Sequence, residues 1–364
     1  MNVPFLDLLA AAADISPQIE AALIQSARSG QYVMGPALAQ FEAEFAAYTG
    51  ASHCLGVANG LDALRMSLEA MGVGPGDEVI VPANTYIATW LAVSQCGAIP
   101  VPVEPLEATH NIDPEAVADA VTSKTKVILA VHLYGQPADL DALRTVADVH
   151  GLQILEDAAQ AHGARYKSER IGEKGTATFS FYPSKNLGAL GDGGAVVTSD
   201  PSVSHHVNLL RNYGSEVKYV HDIKGLNSRL DPLQAAVLSI KLNHLDEWNN
   251  NRRAIAKRYN DAFSQAGLMV PVVPAWAEPV WHLYVLRHSD RDRFQKRLHD
   301  AGVATVIHYP IPPHQQNAYA DLGLGAGRFP LSETLAREVI SLPMCPAQTL
   351  EQTDYVIDRV LSLA

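Results

Sequence analysis

An α/β fold with a mostly parallel central sheet is the class this sequence predicts, on three observations. Short apolar runs alternate with helix-periodic segments between residues 53 and 155, at the rhythm of repeated βαβ units. The chain has 364 residues, 48% of them hydrophobic and 18% charged, enough to bury a substantial core and to divide into two domains. Beyond residue 269 the sequence turns Pro-rich and mixes strand-like with helical runs, which suits a smaller α+β unit. We therefore expect a large α/β domain over residues 1–245 and a small C-terminal α+β domain over residues 246–364.

Taken in order, residues 18–29 suit a helix that GQYVMGP (30–36) ends, and residues 37–48 resume the period with Phe41, Phe45 and Tyr48 on one face. Residues 53–57 form a strand that runs into Asn59-Gly60, and the next segment is helical until Gly72. Strands at 77–81, 99–103, 126–132 and 152–155 alternate with helices at 85–95, 114–120 and 140–150. Two further β-rich runs, 177–182 and 195–198, flank a Ser-, Asn- and Gly-rich turn that carries Lys185. A helix follows Ser199, and the polar, aromatic segment 211–236 has the composition of a loop lying over a site or in a subunit interface. Residues 233–266 read as helical. The C-terminal unit offers strands at 281–286 and 304–308 and helices at 291–301, 332–339 and 350–363.

Several function classes are disfavoured by bulk properties. The net charge of -12 argues against a nucleic-acid or polyanion-binding surface. No apolar run is long enough to span a bilayer, so no membrane partner is expected. The N-terminus carries Asp7 and Asp14 and no basic region, unlike a secretory signal or a transit peptide. Cys54, Cys96 and Cys345 lack metal-ligand spacing and read as reduced, mostly buried thiols, so a cytoplasmic globular protein without a metal is expected.

In open sheets of this kind ligands collect at the carboxyl ends of strands. Asn59, Asp157 and Lys185 all lie at or just beyond such ends. The strand–Asn-Gly–helix junction at residue 59 makes an anion site from helix N–H groups, or else an ordinary connection. The absence of GxGxxG after the first strand disfavours a dinucleotide and a nicotinamide-dependent oxidoreductase. Lys185, at the mouth of a strand beside Gly-rich backbone, suits a Schiff base, although such a lysine is also commonly just solvated. Asp157 can bond a protonated ring nitrogen, or else cap a helix. Gln160 can meet a ring hydroxyl, Ser180 a phosphate, and Tyr86 can stack on a ring or pack in a core. Together these match the demands of pyridoxal phosphate.

The ordered set ANGLDAL (58–64), PANTYIAT (82–89), EDAAQAHGA (156–164), FSFYPSKNLGALGDGG (179–194) and GLNSRLDPLQAA (225–236) spans nearly the whole chain. It resembles the DegT/DnrJ/StrS family of pyridoxal-phosphate-dependent nucleotide-sugar aminotransferases, of aspartate-aminotransferase fold type I. The resemblance implies that Lys185 bonds the cofactor, Asp157 pairs with its pyridine nitrogen and Gln160 contacts its ring hydroxyl. It also implies that Tyr86 stacks on the ring, that Gly60, Leu61 and Ser180 hold the phosphate, and that Asn227 reaches a phosphate across the interface of a homodimer with shared sites. Two positions depart from the pattern. Leu61 stands where many members have a hydroxyl residue, leaving the phosphate to backbone N–H groups. Cys345, in SLPMCP, occupies a place often held by histidine.

In the implied reaction L-glutamate supplies the amine, a nucleotide-linked keto sugar receives it, and Lys185 shuttles the proton. The lysine must be neutral for this, so a pKa depressed by an adjacent cation and partial burial is expected. A related branch that removes a sugar hydroxyl replaces the lysine with histidine; the lysine here favours transamination. RNYGSEVKY (211–219), NSRLD (227–231) and HYPIPPHQQ (308–316) are similar to the branch acting on dTDP-3-keto-6-deoxyhexoses, which makes 3-amino-3,6-dideoxy sugars. Tyr182, His308 and Tyr309 then face the hexose or its pyrophosphate. Arg229 takes the donor carboxylate or the nucleotide phosphates, unless it is an exposed salt bridge, and His308 is otherwise a packed histidine. The alternatives are amination at C4 of a dTDP-4-keto-6-deoxyhexose and a catalytically silent regulator, which would be expected to lose Lys185 or Asp157.

Overall fold

A computed structural model describes residues 1–364. The N-terminal segment holds a short helix α1 (Leu8–Ala11), then α2 (Ser16–Ser29) and α3 (Pro36–Thr49). The large sheet begins with β1 (His53–Val57), followed by α4 (Gly60–Ala70), β2 (Glu78–Pro82), α5 (Ile87–Gln95), β3 (Ile99–Val103), α6 (Pro114–Ala120), β4 (Thr125–Val131), α7 (Leu140–His150) and β5 (Gln153–Asp157). A small hairpin, β6 (Arg165–Tyr166) and β7 (Glu169–Arg170), precedes β8 (Thr176–Ser180) and β9 (Gly194–Thr198). The seven long strands form one sheet in the order β1-β9-β8-β5-β4-β2-β3. The ladders from β8 through β5, β4 and β2 to β3 are parallel, and β9 runs antiparallel to both its neighbours.

The sheet is parallel because its connections are crossover helices, and its strands are buried on both faces as that arrangement requires. Asp and Asn cap the crossover helices as their sequence positions suggest: Asn59 accepts from Asp62 N, Asp113 from Glu115 N and Asp139 from Ala142 N. The predicted face of α3 is buried: Phe41 and Phe45 stack at 5.6 Å and meet the rings of Phe179 and Phe181 edge-on. Truncating Phe45 to alanine would cost about 3–5 kcal/mol. These rings pack beneath the strand that leads to Lys185, so the site stands on the most extensive cluster of buried apolar side chains.

After β9 come α8 (Pro201–Leu210), the 211–231 loop, α9 (Pro232–Leu242) and α10 (Leu245–Gln265). The run expected as continuous helix is thus two helices, broken at Asn243-His244. β10 (Ala277–Glu278), β11 (Tyr284–Arg287), α11 (Arg291–Asp300), α12 (Pro330–Glu338), β12 (Val339–Leu342) and α13 (Leu350–Leu363) complete the chain. α13 opens with a capping box between Thr349 and Gln352. A second apolar core gathers Val3, Tyr259, Phe263, Tyr284, Phe294 and Ile340. The strand expected over 304–308 is absent; Val306 makes only a single bridge to Ser341. No helix is long and apolar enough to cross a membrane.

Candidate functional site

The carboxyl ends of β1, β4, β5 and β8 deliver the reactive side chains to one edge of the sheet. Asp157, the last residue of β5, is buried, and its pKa is raised by that burial. Its Oδ2 accepts from Thr89 Oγ1 at 3.0 Å and its Oδ1 from Ala159 N at 3.1 Å. Both donors are neutral, and they help keep the carboxylate ionised. Lys185 lies in the turn after β8. Burial lowers the pKa of its amine to about 8, while the Asp157 carboxylate opposes that shift. The expected depression is therefore present, but burial causes it and not a neighbouring cation.

The turn carrying Lys185 is fixed by bonds on several sides. Lys185 N donates to Tyr182 O at 2.8 Å, Ala189 N to Phe181 O at 2.7 Å, and Lys241 Nζ to Gly188 O at 2.7 Å. Asn186, buried beside it, donates to Asn249 Oδ1 and Val280 O at 2.9 Å each and lies 3.1 Å from His282 Nδ1. His162, His282 and His308 all have pKa values lowered first by burial and then by the Lys185 charge, His162 to about 3 and His308 to about 4. These imidazoles are neutral at neutral pH.

A second part of the site is made of backbone. Asn59 caps α4, leaving the first N–H groups of Gly60 and Leu61 without partners inside the helix. A Cβ on Gly60 would lie 2.7 Å from Ser180 Cβ, and one on Gly194 would lie 2.5 Å from the Asn59 carbonyl. Only glycine lets β8, β9 and the α4 N-terminus come this close, which forms a cradle of N–H donors beside the Ser180 hydroxyl.

Gln160 Oε1 accepts from Tyr134 N at 2.6 Å, and its Nε2 donates to the Tyr309 hydroxyl at 3.0 Å. The Tyr309 and Tyr86 rings lie 5.2 Å apart at 37°, with Tyr86 largely exposed over the edge. His308 Nδ1 lies 2.9 Å from Ser341 Oγ. Tyr182 is exposed at the rim. Asn227 and Arg229 are on the 211–231 loop and make no bond to the Lys185 group; Arg229 donates to Asn212 Oδ1, and Asn227 faces solvent. The buried Cys345 thiol meets Asp7 O at 3.5 Å, against the N-terminal segment. A cleft of about 380 Å³ borders the Lys185 turn, walled by Leu6, Ser16, Lys241 and Trp248, a volume typical of small-molecule sites.

Thr89, Tyr134, Asn186, His162 and His282 were not picked out from sequence. Thr89 follows Thr85 by one helical turn, and Asn186 adjoins Lys185, so spacing could have found those two. Tyr134 and the histidines carry no local signal.

A buried amine of lowered pKa, a buried carboxylate hydrogen-bonded only by neutral donors and a backbone anion cradle at one sheet edge define an enzyme that holds a phosphorylated, cationic-ring cofactor on a lysine. The chain belongs to the DegT/DnrJ/EryC1/StrS aminotransferase family, whose pattern matches residues 13–361. It is 56% identical over 359 residues to the erythromycin biosynthesis sensory transduction protein EryC1 of Saccharopolyspora erythraea, covering 98% of each chain. It is 52% identical over 361 residues to a dTDP-3-amino-3,4,6-trideoxy-α-D-glucose transaminase of Streptomyces venezuelae, covering 99% of this chain and 95% of the relative. The crystal structure of S. venezuelae DesV in complex with a ketimine intermediate superposes with a TM-score of 0.98 at 52% identity, over 99% of this chain and 98% of that one. The protein is a pyridoxal-phosphate-dependent aminotransferase, and its fold is the mostly parallel α/β class expected from sequence. The residues present fit the cofactor: Asp157 has only neutral donors as partners, and the glycine cradle leaves room that any Cβ would fill.

Proposed function

We propose that the protein transfers the amino group of L-glutamate to C3 of a dTDP-3-keto-6-deoxyhexose, giving a dTDP-3-amino-3,6-dideoxyhexose. One observation carries the reading: Lys185 and Asp157, oppositely tuned by burial, face each other at the carboxyl edge of the sheet. The C3 assignment is supported by the S. venezuelae relative, whose name specifies a 3-amino dTDP sugar.

Pyridoxal phosphate, when bound, supplies an electron sink for the proton movements at the amino-bearing carbon. Asp157 keeps a proton on the ring nitrogen by offering it a desolvated carboxylate. Gly60 and Leu61 donate their backbone N–H groups to the phosphate, with the Ser180 hydroxyl beside them, which removes the need for a hydroxyl at position 61. Tyr86 covers the ring, and Gln160 turns its amide N–H toward the ring hydroxyl. Lys185, neutral in a useful fraction near neutral pH, takes up and returns the proton between donor and acceptor carbons. On the substrate side we place Tyr182, His308, Tyr309 and Arg229; His308 acts as a neutral hydrogen-bonding group because burial keeps it uncharged.

We also infer a homodimer. Tyr32, Val33, Leu190, Tyr213 and Val220 are large apolar side chains left exposed, and the partner subunit's Asn227 would reach the phosphate cradle. A small C-terminal domain over residues 246–364, built around the second core, and a cytoplasmic location belong to the same reading. EryC1 bears the name of a sensory protein, but a silent regulator has no use for an amine tuned as Lys185 is.

The test is incubation with glutamate and dTDP-linked 3-keto and 4-keto 6-deoxyhexoses, with and without a C4 hydroxyl where the chemistry allows, followed by product NMR. Amination at C3, lost in Lys185→Ala, is expected. Exclusive amination at C4 would overturn the choice of carbon, and full turnover by Lys185→Ala would overturn the assignment.

A further inference from the structure

Tyr134 stands in the short turn after β4 with φ of +62°, a left-handed conformation unusual for a residue with a side chain. The turn is held there by Asn111, whose Oδ1 accepts from Leu133 N at 3.0 Å and whose Nδ2 donates to Gln136 O and Pro137 O. From this fixed position Tyr134 makes three hydrogen bonds to three separate parts of the chain. Its N–H donates to Gln160 Oε1 at 2.6 Å, its hydroxyl donates to His308 O at 2.6 Å, and its carbonyl accepts from Leu283 N at 3.3 Å.

These bonds decide the orientation of Gln160. A backbone N–H can only donate, so the amide atom facing it is the oxygen, and the NH₂ group must point the other way. One of its two hydrogens goes to the Tyr309 hydroxyl, which reaches Gln160 because the adjacent His308 carbonyl is tied to the Tyr134 hydroxyl. The second hydrogen has no partner within the chain and remains for an oxygen acceptor on the bound cofactor.

We propose that Tyr134 is a positioning residue, setting the Gln160 amide and the His308–Tyr309 segment in one register so that both present donors to the bound cofactor. The inference rests on the assignment of Gln160 to the cofactor ring. It extends that assignment to a residue that touches neither cofactor nor sugar and acts through Tyr309. The turn also ties the C-terminal unit down: Gly135 O accepts from Val280 N at 3.0 Å, next to the Leu283 bond. One tyrosine thus connects the carboxyl edge of the sheet to two segments of the C-terminal unit, at Leu283 and at His308.

The test is a double-mutant cycle on the holoenzyme, read as the dissociation constant of pyridoxal phosphate and the position of its visible absorption band, neither of which needs a sugar substrate. Tyr134→Phe removes the hydroxyl and leaves the ring and backbone bonds, so folding is preserved. Each of Tyr134→Phe and Tyr309→Phe is expected to weaken cofactor binding about five- to tenfold, the loss of one hydrogen bond. The double variant should be no weaker than the worse single one, because both changes break the same arrangement. Multiplying effects, about 25- to 100-fold in the double variant, or an unchanged Tyr134→Phe, would overturn the proposal. Failure of the sugar assignment would leave this measurement intact, since it concerns cofactor alone.

Discussion

The tuning of Lys185 can be measured on the apoenzyme. With an amine pKa of about 8, roughly a tenth of the lysine is neutral at pH 7. A lysine at its ordinary value would be neutral to only about three parts in ten thousand at the same pH, so burial multiplies the reactive form about 300-fold. The sign follows from the two causes: burial disfavours the ammonium and lowers the pKa, while the Asp157 carboxylate favours the ammonium and raises it. The perturbation is Asp157→Asn, which removes the opposing charge and should move the Lys185 midpoint further down, below that of the unaltered chain. The assay is the rate of trinitrophenylation at Lys185 as a function of pH, read peptide by peptide in a mass spectrometer. The reasoning fails if the unaltered apoenzyme titrates near pH 10, or if Asp157→Asn shifts the midpoint upward.

Thr89→Val removes the 3.0 Å bond to Asp157 and raises the pKa of that carboxylate further, since the bond lowers it. We expect about a tenfold drop in kcat together with a loss of about 1–3 kcal/mol of stability, because buried Asp157 loses a donor, measured by steady-state kinetics and calorimetry. Gly194→Ala drives a Cβ against the Asn59 carbonyl, and should cost about 1–3 kcal/mol of stability together with cofactor affinity, read by denaturant melts and equilibrium dialysis. Arg211 bonds Glu42 and donates to Gly56 O at 3.0 Å, while Gly56 N donates to Glu42 at 2.7 Å, all in a buried setting beside β1. Arg211→Met strands the Glu42 charge and should destabilise the chain by about 3–5 kcal/mol. Mixing inactive Lys185→Ala and Asn227→Ala homodimers should regenerate activity by forming heterodimers with one intact site; sustained inactivity after verified subunit exchange would refute the shared site.

The large sheet was legible because its strands are apolar runs and most of them are followed by a helix, and both signals are local. Asp157 and Lys185 could be placed from the apolar runs alone: Asp157 ends one, and Lys185 lies in the turn that follows another. The break between α9 and α10 was hidden because Asn243 and His244 lie between two amphipathic stretches with no Gly or Pro to mark it. The false strand at 304–308 has the β-branched composition of a strand, yet its backbone is committed to a single bridge with Ser341 and to the Tyr134 hydroxyl. The role of burial in tuning Lys185 was only partly legible. Desolvation is a property of what closes over the amine, and the segments bearing Asn186, His162 and His282 meet only after folding.

The turn around Lys185 has a dynamic consequence. Its backbone is pinned by Tyr182, Phe181, Lys241 and Asn186, so the loop itself cannot follow the reaction. All the displacement the ammonium nitrogen needs must come from torsions of its four methylene groups. The motion is thus a rotamer change of one side chain, with no backbone rearrangement of the turn. The lysine is a short tether on a rigid mount.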